Sequence, residues 1–239
     1  MTGTSSSTPD GRDERWAAHR EERRAQILDA AIAVIEATPD GEEIHVRQIA
    51  QEAGLGRAVL YRHFADRADL DRAVQRRILQ MLMDVLVPEF ELSGTIEQII
   101  ERIVTAYVVW ADEHPALHRI GAAESQDAER LGEVLQTTQQ IGALITMLVT
   151  SGASLLEVEL TEEDRQILDP LVFGIVGQAV GTVRFWLARE ERVPATAVLA
   201  QHLSRSVWFQ IDGHARDRGV VLDPKTSLDE LILGSLRAD

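Results

Sequence analysis

Apolar residues recur at spacings of three and four along nearly the whole chain, and no convincing stretch alternates with a period of two. This periodicity is typical of amphipathic helices that bury one face, and it argues against a β-sheet. The chain has 239 residues, of which 45% are hydrophobic, so it can bury a substantial core in one or two domains. The predicted fold class is therefore all-α.

Turn-forming residues divide the N-terminal part into four predicted helices. These helices cover about residues 14–37, 46–53, 57–64 and a stretch from 67 onward. Thr38-Pro39-Asp40-Gly41 ends the first helix, and Gly54-Leu55-Gly56 separates the second from the third. Asp66 is able to cap the fourth helix, with Asp69 three residues on as an acidic variant of a capping box.

A larger helical region follows. Its helices are predicted at about residues 95–113, 126–156, 161–190 and 194–217. Thr95 with Gln98 and Thr161 with Asp164 have the spacing of capping boxes. Pro115 interrupts the helical pattern, and Pro170 either kinks the third of these helices or marks its true start.

The segment from His45 to Phe64 meets the packing demands of a helix-turn-helix motif. Two closely crossing helices need small or apolar residues at the crossing, and the turn needs a residue that tolerates a left-handed backbone. Gly54 fits the turn, and the small core is predicted to consist of Ile49, Ala50, Ala53, Leu55 and Leu60. Leu60 and Phe64 share one face of the next helix, whose opposite face is free to lie in the major groove of DNA.

Four strings of residues carry a family resemblance: Ile49-Ala50, Ala53-Gly54-Leu55, Leu60-Tyr61-Arg62-His63-Phe64 and Arg67-Ala68-Asp69-Leu70. Together they resemble the signature of the tetracycline-repressor (TetR) family, over about sixty residues from Arg20 to Leu79. The resemblance implies a homodimer that binds double-stranded operator DNA through paired recognition helices. It also implies a C-terminal bundle that dimerises and holds a small-molecule effector.

The predicted function is that of a ligand-responsive transcriptional regulator, a repressor that a small hydrophobic effector releases from a palindromic operator. The expected organisation is a flexible arm at residues 1–19, a helix-turn-helix DNA-binding domain of three helices at 20–80 with its motif at 45–64, and a larger ligand-binding and dimerisation domain at 81–239.

The residues predicted to contact DNA are His45, Gln48, Gly56, Arg57, Ala58, Val59, Tyr61, Arg62, His63 and Arg67. Arg57 is the candidate for a guanine edge, and Val59 is able to contact a thymine methyl. By resemblance, Tyr61, His63 and Arg67 contact backbone phosphates, which position the protein without specifying sequence.

Several of these positions depart from the family pattern. His45 and Gly56 stand where Ser or Thr usually cap the two motif helices, Val59 stands where Thr is common, and Arg67 where Lys is common. Packing or a solvated charge is the alternative role for Tyr61, Arg62 and His63. A helical ligand carrier that has lost its DNA function is the alternative for the whole protein.

An apolar stripe on the helix after Thr95 ends in Tyr107 and Trp110, whose polar tips suit the orientation of a largely apolar ligand. The residues predicted to bind ligand are Met81, Ile103, Tyr107, Trp110, Met147 and Phe173. For each of them a place in an ordinary core is the alternative.

Three glycines, Gly174, Gly177 and Gly181, fall on one helix face although an interior glycine costs about 1 kcal/mol relative to alanine. We expect them to admit a partner helix across a dimer axis, matched by Leu199, Leu203 and Val207 on the last helix. Close packing inside one subunit and room for a ligand are the alternatives.

The net charge of −15 at first argues against nucleic acid. The charge is unevenly distributed, however, because residues 15–77 contain eleven arginines and eleven acidic residues, whereas residues 78–239 contain twelve basic and twenty-five acidic residues. The acidity therefore belongs to the C-terminal part.

Several classes of function lack their sequence signals. The chain has no cysteine, which excludes disulfides and thiolate chemistry and fits the reducing cytoplasm where we expect the protein. We find no phosphate-binding glycine loop, Gly-x-Ser-x-Gly elbow or paired-histidine zinc motif, so we predict neither an enzyme nor a cofactor. No apolar run approaches the roughly 18 residues of a membrane span, so no membrane partner is expected.

A metal site is likewise not predicted. His114 and His118 lie four residues apart beside Glu113, but Pro115 breaks the helix between them and no third ligand is evident.

Overall fold

The computed structural model describes residues 11–39, 41–122, 128–156 and 158–229. Within these ranges the regular structure is helical, apart from one isolated antiparallel bridge between Thr95 and Ser227, so the all-α prediction is confirmed. The chain divides into two compact units, Met1–Arg77 and Ile78–Asp239. Of the predicted flexible arm, residues 1–10 lie outside the described ranges, and residues 11–19 are helical.

The first unit contains α1 (Gly11–Ala37), α2 (Val46–Glu52), α3 (Arg57–Leu60) and the beginning of α4 (Arg67–Leu86), which contributes residues to both units. Helix α2 packs on α1 and α3. Their shared core is formed by side chains that are almost fully buried: Ile27, Ala31, Ile49, Ala50, Leu60 and Phe64. Of the small core that the helix-turn-helix pattern predicts, Ile49, Ala50, Ala53 and Leu60 are buried, whereas Leu55 is half-buried.

Helix α3 is shorter than the predicted range of 57–64, and its regular α-helix ends at Leu60. The backbone then tightens, and the amides of Arg62 and His63 donate to carbonyls three residues back, at 3.1 and 2.9 Å. Phe64 remains buried because its own amide still donates to the Leu60 carbonyl, at 3.3 Å, which returns its side chain to the core.

The second unit contains the rest of α4, a 3₁₀ helix (Val87–Phe90), α5 (Ile96–Glu113), α6 (Pro115–Gly121), α7 (Ala128–Leu155), α8 (Glu162–Leu187) and α9 (Thr196–Asp217). Helix α5 contacts α6, α8 and α9, and it buries residues along most of its length. Helices α7 and α8 pack on each other.

Capping boxes begin two of these helices, as predicted. At α5 the Gln98 amide donates to Thr95 Oγ1 at 3.3 Å, and the Thr95 amide donates to Gln98 Oε1 at 2.9 Å. At α8 the Asp164 amide donates to Thr161 Oγ1 at 3.2 Å, and the Thr161 amide donates to Asp164 Oδ2 at 3.0 Å. These bonds satisfy backbone donors that a helix start leaves without intrahelical partners.

Two boundaries differ from the sequence prediction. Helix α8 continues through Pro170, whose ring is exposed, so the proline removes one backbone bond without ending the helix. Helix α9 begins at Thr196 rather than Pro194, because Ala195 keeps an extended backbone and accepts the first helical hydrogen bond, from the Leu199 amide at 3.0 Å.

Removing the Thr95 cap tests the capping of α5. We expect Thr95→Ala to lower the free energy of unfolding of the second unit by about 1 kcal/mol, because the Gln98 amide loses its acceptor. The buried Trp110 and Trp186 make tryptophan fluorescence in urea a suitable measurement. Thr150→Ala is the matched control, since the Thr150 hydroxyl bonds only carbonyls of its own helix, and it should change stability little. Equal losses in the two variants would contradict the prediction.

Candidate functional site

The turn of the helix-turn-helix motif has the geometry that its sequence predicts. Gly54 adopts a φ of +66°, in the left-handed region, and nothing lies within 4 Å of the place of a Cβ atom there. The requirement for glycine therefore comes from the backbone and not from crowding. The Leu55 amide donates to the Ala50 carbonyl at 2.8 Å and closes the turn, after which Gly56 precedes α3.

The predicted DNA-contact residues fall into two groups by exposure. Six of them are exposed: His45, Gln48, Gly56, Arg57, Ala58 and Arg62. Four are half-buried: Val59, Tyr61, His63 and Arg67. The Arg57 guanidinium lies 5.5 Å from the centre of the Tyr61 ring, so the two side chains share one end of α3. This face combines a fork of donors with an aromatic hydroxyl, which is chemistry suited to base edges and phosphates.

Basic side chains gather around His63. Arg24 donates through Nη1 to the His63 carbonyl, and its guanidinium lies 4.3 Å from the centre of the Phe64 ring. Burial lowers the pKa of His63, and the charges of Arg24, Arg62, Arg23 and His19 lower it further. We call Arg23, Arg24, Arg62 and His63 the basic cluster. The positive charges of these arginines, which contribute to the lowered pKa, also favour a bound anion.

The sequence prediction did not include Arg23 and Arg24. Arg24 lies one helical turn before Ile27 and on the same face of α1, and Ile27 is fully buried. That spacing was the available signal, because a long basic side chain at the edge of a buried face extends its charged end toward the neighbouring element.

Two predicted contact residues are held by bonds inside the first unit. Arg67 donates through Nε to Asp71 Oδ1 at 2.8 Å and through Nη1 to the Ile44 carbonyl at 2.9 Å. Gln48 accepts the His45 amide through Oε1 at 2.7 Å. Both side chains therefore stabilise the start of a motif helix, which the sequence analysis did not anticipate.

The second unit contains a cavity of about 420 Å³. Its wall is formed by the end of α4, by α5, α6, α7, α8 and α9, and by the segment after α9. Most of its lining residues are Leu, Ile and Val. This volume lies in the range of small-molecule sites, roughly 300–1,000 Å³. Such a cavity suits a largely apolar ligand.

Three of the predicted ligand-binding residues line this cavity, namely Ile103, Tyr107 and Trp110. The other three do not, and the prediction is corrected for them. Met147 and Phe173 are 52% and 54% exposed, because they lie on the outer faces of α7 and α8, and Met81 is half-buried away from the lining. The periodicity of apolar residues predicts which side chains share a helix face. It does not predict whether that face meets a cavity, a neighbouring helix or solvent.

A buried polar pair interrupts the apolar wall. Tyr107 Oη and His118 Nε2 lie 2.8 Å apart, and both residues line the cavity while they are 8% and 3% exposed. Burial, with a smaller contribution from the Arg184 charge, lowers the pKa of His118 to about 4, and burial raises the pKa of Tyr107. Both side chains are therefore uncharged near neutral pH. The described residues contain no group of three or more potential metal ligands around them.

The segment that follows α9 covers part of the cavity, which the sequence analysis missed. Val220, Leu222 and Leu228 contribute to its wall. At its start, Arg218 forms an ion pair with Asp164. At its end, the Leu228 amide donates to the Gly94 carbonyl at 2.9 Å, and the Gly94 amide donates to Asp229 Oδ1 at 2.8 Å.

One surface of α8 and α9 is apolar and exposed. Phe173 and Phe185 on α8 are 54% and 72% exposed, and Phe209 on α9 is 57% exposed. At Gly174, Gly177 and Gly181 an added Cβ atom would meet nothing within 4 Å, so packing inside the chain does not require these glycines. We call this surface the α8–α9 face.

The predicted dimer residues of α9 are corrected. Leu199, Leu203 and Val207 are 8%, 4% and 6% exposed, because they lie on the side of α9 that packs within the second unit, where α9 contacts α5. Exposed positions of α9 include Val198, Arg205 and Phe209 instead.

By length and composition, α8 is apolar enough to cross a membrane. Within the chain only 17% of its most apolar window is buried. The sequence analysis did not anticipate this, because Pro170 and the three glycines interrupt the apolar residues of α8. The same helix forms one wall of the cavity and one half of the α8–α9 face, and both functions require apolar side chains.

Comparison with known proteins agrees with this description. Residues 27–74 match the family described as "Bacterial regulatory proteins, tetR family". Over 120 residues the chain is 33% identical to an uncharacterised HTH-type transcriptional regulator of Mycobacterium tuberculosis, a match that covers 48% of this chain and 49% of the relative. The chain thus spans about half the length of the curated relatives that it matches.

Two solved structures share the fold. A tetR-family transcriptional regulator from Streptomyces coelicolor matches with a TM-score of 0.62 at 20% identity, over 89% of each chain. The transcriptional regulator FadR from Bacillus subtilis, solved in complex with stearoyl-CoA, matches with a TM-score of 0.59 at 16% identity, over 76% of this chain and 95% of that one.

A helix-turn-helix unit followed by a larger helical unit defines a class, the helix-turn-helix transcriptional regulators. Within that class, residues 27–74 match the family of tetR bacterial regulatory proteins, and a tetR-family regulator is among the solved structures that share the fold. Regulators of this family are DNA-binding transcription factors and not enzymes, in agreement with the sequence prediction.

The buried His118 makes stability depend on pH. Its pKa is about 4 in the folded chain against the usual 6.5, so the unfolded chain takes up a proton first as the pH falls. Stability is therefore full above about pH 6.5 and decreases toward pH 4, by up to about 3 kcal/mol.

Urea unfolding of wild type and His118→Gln between pH 7 and 5 checks this dependence, and the variant should show the smaller decrease. His202→Gln removes an exposed imidazole of α9 and should keep the wild-type slope. Identical slopes for wild type and His118→Gln would show that His118 does not cause the dependence.

Proposed function

We propose that the protein is a homodimeric transcriptional repressor. The first unit binds a palindromic operator in double-stranded DNA, and the second unit releases it when a small hydrophobic effector enters the cavity. The observation that carries this proposal is the exposed end of α3, where Arg57 and Arg62 lie beside Tyr61 in a unit that matches the tetR family.

The exposed residues divide the work of DNA binding. Arg57 is the candidate for bidentate contact to a guanine edge, with Ala58 and Val59 beside it for apolar contact to a thymine methyl. Tyr61 and the basic cluster are suited to phosphates, because charge-assisted bonds to phosphate are strong and independent of sequence. Gly56 offers its backbone amide at the start of α3. His45, whose own amide donates to Gln48, offers its exposed imidazole at the start of α2. Gln48 and Arg67 support these helices from within.

The cavity supports the effector part of the proposal. It is apolar and of a size that suits a small molecule, and the FadR structure of the same fold was solved with stearoyl-CoA. An effector that binds one arrangement of the second unit better than another shifts the population toward it. Release follows if that arrangement no longer spaces two recognition helices for half-sites about one DNA turn apart.

The α8–α9 face supports the homodimer. Each interior glycine of α8 costs about 1 kcal/mol relative to alanine, and nothing within the described chain requires it. Exposed phenylalanines flank these glycines, and large apolar patches on a soluble protein mark interaction sites. Asp212, one turn after Phe209, also has a buried Oδ1 without a hydrogen-bond partner in the described chain. A second subunit supplies both cover and donors.

Replacing Arg57 tests DNA recognition. We expect Arg57→Ala to lose about 1–3 kcal/mol of discrimination between the duplex upstream of the protein's own gene and a scrambled duplex, because the guanine contact is lost. Fluorescence anisotropy at one fixed salt concentration measures both affinities. Arg165→Ala removes an exposed arginine of α8 in the second unit and should keep the wild-type discrimination. Wild-type protein that does not discriminate would instead support a helical ligand carrier.

A large side chain at Gly177 tests the dimer. The chain itself has room for Gly177→Leu, which should favour the helix, but a closely packed partner helix has no room. We expect sedimentation velocity to show a dimer weakened by roughly ten-fold or more in affinity. Gly132→Leu, at an equally open position on α7, should leave the dimer intact. An unchanged dimer in Gly177→Leu would place the interface elsewhere.

A further inference from the structure

We propose that the ligand of the cavity is an uncharged, largely hydrocarbon molecule with one hydrogen-bonding oxygen, such as a ketone, alcohol or ester, and that the Tyr107–His118 pair binds that oxygen. The inference rests on the proposed function only in taking the cavity as the effector site. It adds the chemical class of the effector and the residues that select it.

The position of the pair is the first step. Tyr107 lies on α5 and His118 on α6, and their 2.8 Å hydrogen bond joins two elements at the cavity wall. The neighbouring lining residues are apolar: Ile103 and Val104 lie one turn before Tyr107 on α5. A ligand that fills the cavity therefore meets the pair as a local polar spot in a hydrocarbon surface. Buried polar groups in such surroundings fix the orientation of a ligand.

The number of hydrogens that the pair is able to donate is the second step. A neutral imidazole carries one N–H and a phenol carries one O–H, and the mutual hydrogen bond uses one of these two hydrogens. If Tyr107 donates, His118 keeps an N–H at Nδ1, and if His118 donates, Tyr107 keeps its O–H. In either tautomer one donor remains. The matching group on a ligand is an acceptor oxygen.

Charge is the third step. Burial disfavours the imidazolium form of His118 and the phenolate form of Tyr107, so the pair brings no cation to the ligand. Arg184 acts on His118 by its charge, but its side chain is exposed, where water screens it. Elsewhere on the wall, Arg218 is bound to Asp164 and to the His214 carbonyl.

Beside the Tyr107–His118 pair, a carboxylate ligand would therefore lose its hydration without gaining a cation, which is costly. A hydrocarbon without oxygen would leave the remaining donor of the pair unpaired, which is also unfavourable. An uncharged molecule with a single acceptor avoids both costs. This comparison selects the neutral oxygenated class among hydrophobic ligands.

The test uses three probes of similar length on the full chain: 2-dodecanone, dodecanoate and dodecylbenzene. Each competes with the uncharged fluorescent reporter N-phenyl-1-naphthylamine at pH 8, where dodecanoate is ionised. We expect 2-dodecanone to bind at least about ten-fold more tightly than dodecanoate. Tyr107→Phe should weaken 2-dodecanone about ten-fold and leave dodecylbenzene unchanged, because the imidazole loses the partner that fixes its tautomer and orientation, and only the ketone uses the donor of the pair.

Three further variants separate hydrogen bonding from packing. His118→Leu should resemble Tyr107→Phe, whereas His118→Gln, which is able both to accept from Tyr107 and to donate, should retain most of the affinity for 2-dodecanone. Ile103→Val removes only a methylene group from the wall and should weaken 2-dodecanone and dodecylbenzene alike. His118→Gln also keeps the test decisive if Tyr107→Phe proves poorly folded.

The inference is overturned if dodecanoate binds as tightly as 2-dodecanone, if Tyr107→Phe weakens all probes equally, or if no probe displaces the reporter. None of these measurements contains DNA. A protein that fails to discriminate operator from scrambled duplex therefore sinks the proposed function while this binding preference stands, and the reverse outcome sinks only the inference.

Discussion

Helix α5 packs against α6, α8 and α9. Some of its residues lie in the core of the second unit, and others line the cavity. Val108 and Ala111 are fully buried in the core, whereas Ile103 and Tyr107 line the cavity. Both sets of residues contribute to stability, because the apolar area that a helix bundle removes from water stabilises its fold. The cavity is thus built in large part on a well-packed helix, and this gives the Tyr107–His118 pair a rigid frame.

Electrostatics in the first unit depend on arrangement and not on net charge. Residues 15–77 are formally neutral, yet the acidic side chains are engaged where they stabilise helices. Asp66 accepts the Asp69 amide, Asp69 accepts the Ala65 amide, and Asp71 binds Arg67. Arg57 and Arg62, a few residues earlier in the chain, remain exposed. Local separation of this kind gives a positive surface without a basic composition, and it makes affinity for DNA sensitive to salt.

Sequence reasoning succeeded where the signal is local. The capping pairs of α5 and α8, the left-handed Gly54 and the buried Leu60 and Phe64 follow from spacing alone. It failed where the periodicity shows which residues share a helix face but not what that face packs against. Leu199, Leu203 and Val207 form an apolar stripe, but the stripe packs within the second unit and not on a second subunit. The bonds of Arg67 to Ile44 and the cover that Leu222 provides are equally long-range, and sequence spacing carries no information on such contacts.

The segment after α9 lines the cavity and is also bonded to residues at the starts of α5 and α8. Its Arg218 holds Asp164, which also caps α8, and its Leu228 and Asp229 hold Gly94 just before α5. An empty apolar cavity forfeits the packing contacts that its lining atoms would otherwise make. A ligand restores those contacts and stabilises the arrangement of α5, α8 and the covering segment that encloses it, by an amount that rises with the logarithm of its concentration relative to its dissociation constant. These anchors are hydrogen bonds and an ion pair, and the buried Leu222 and Leu228 add apolar contacts that hold the same segment against the cavity.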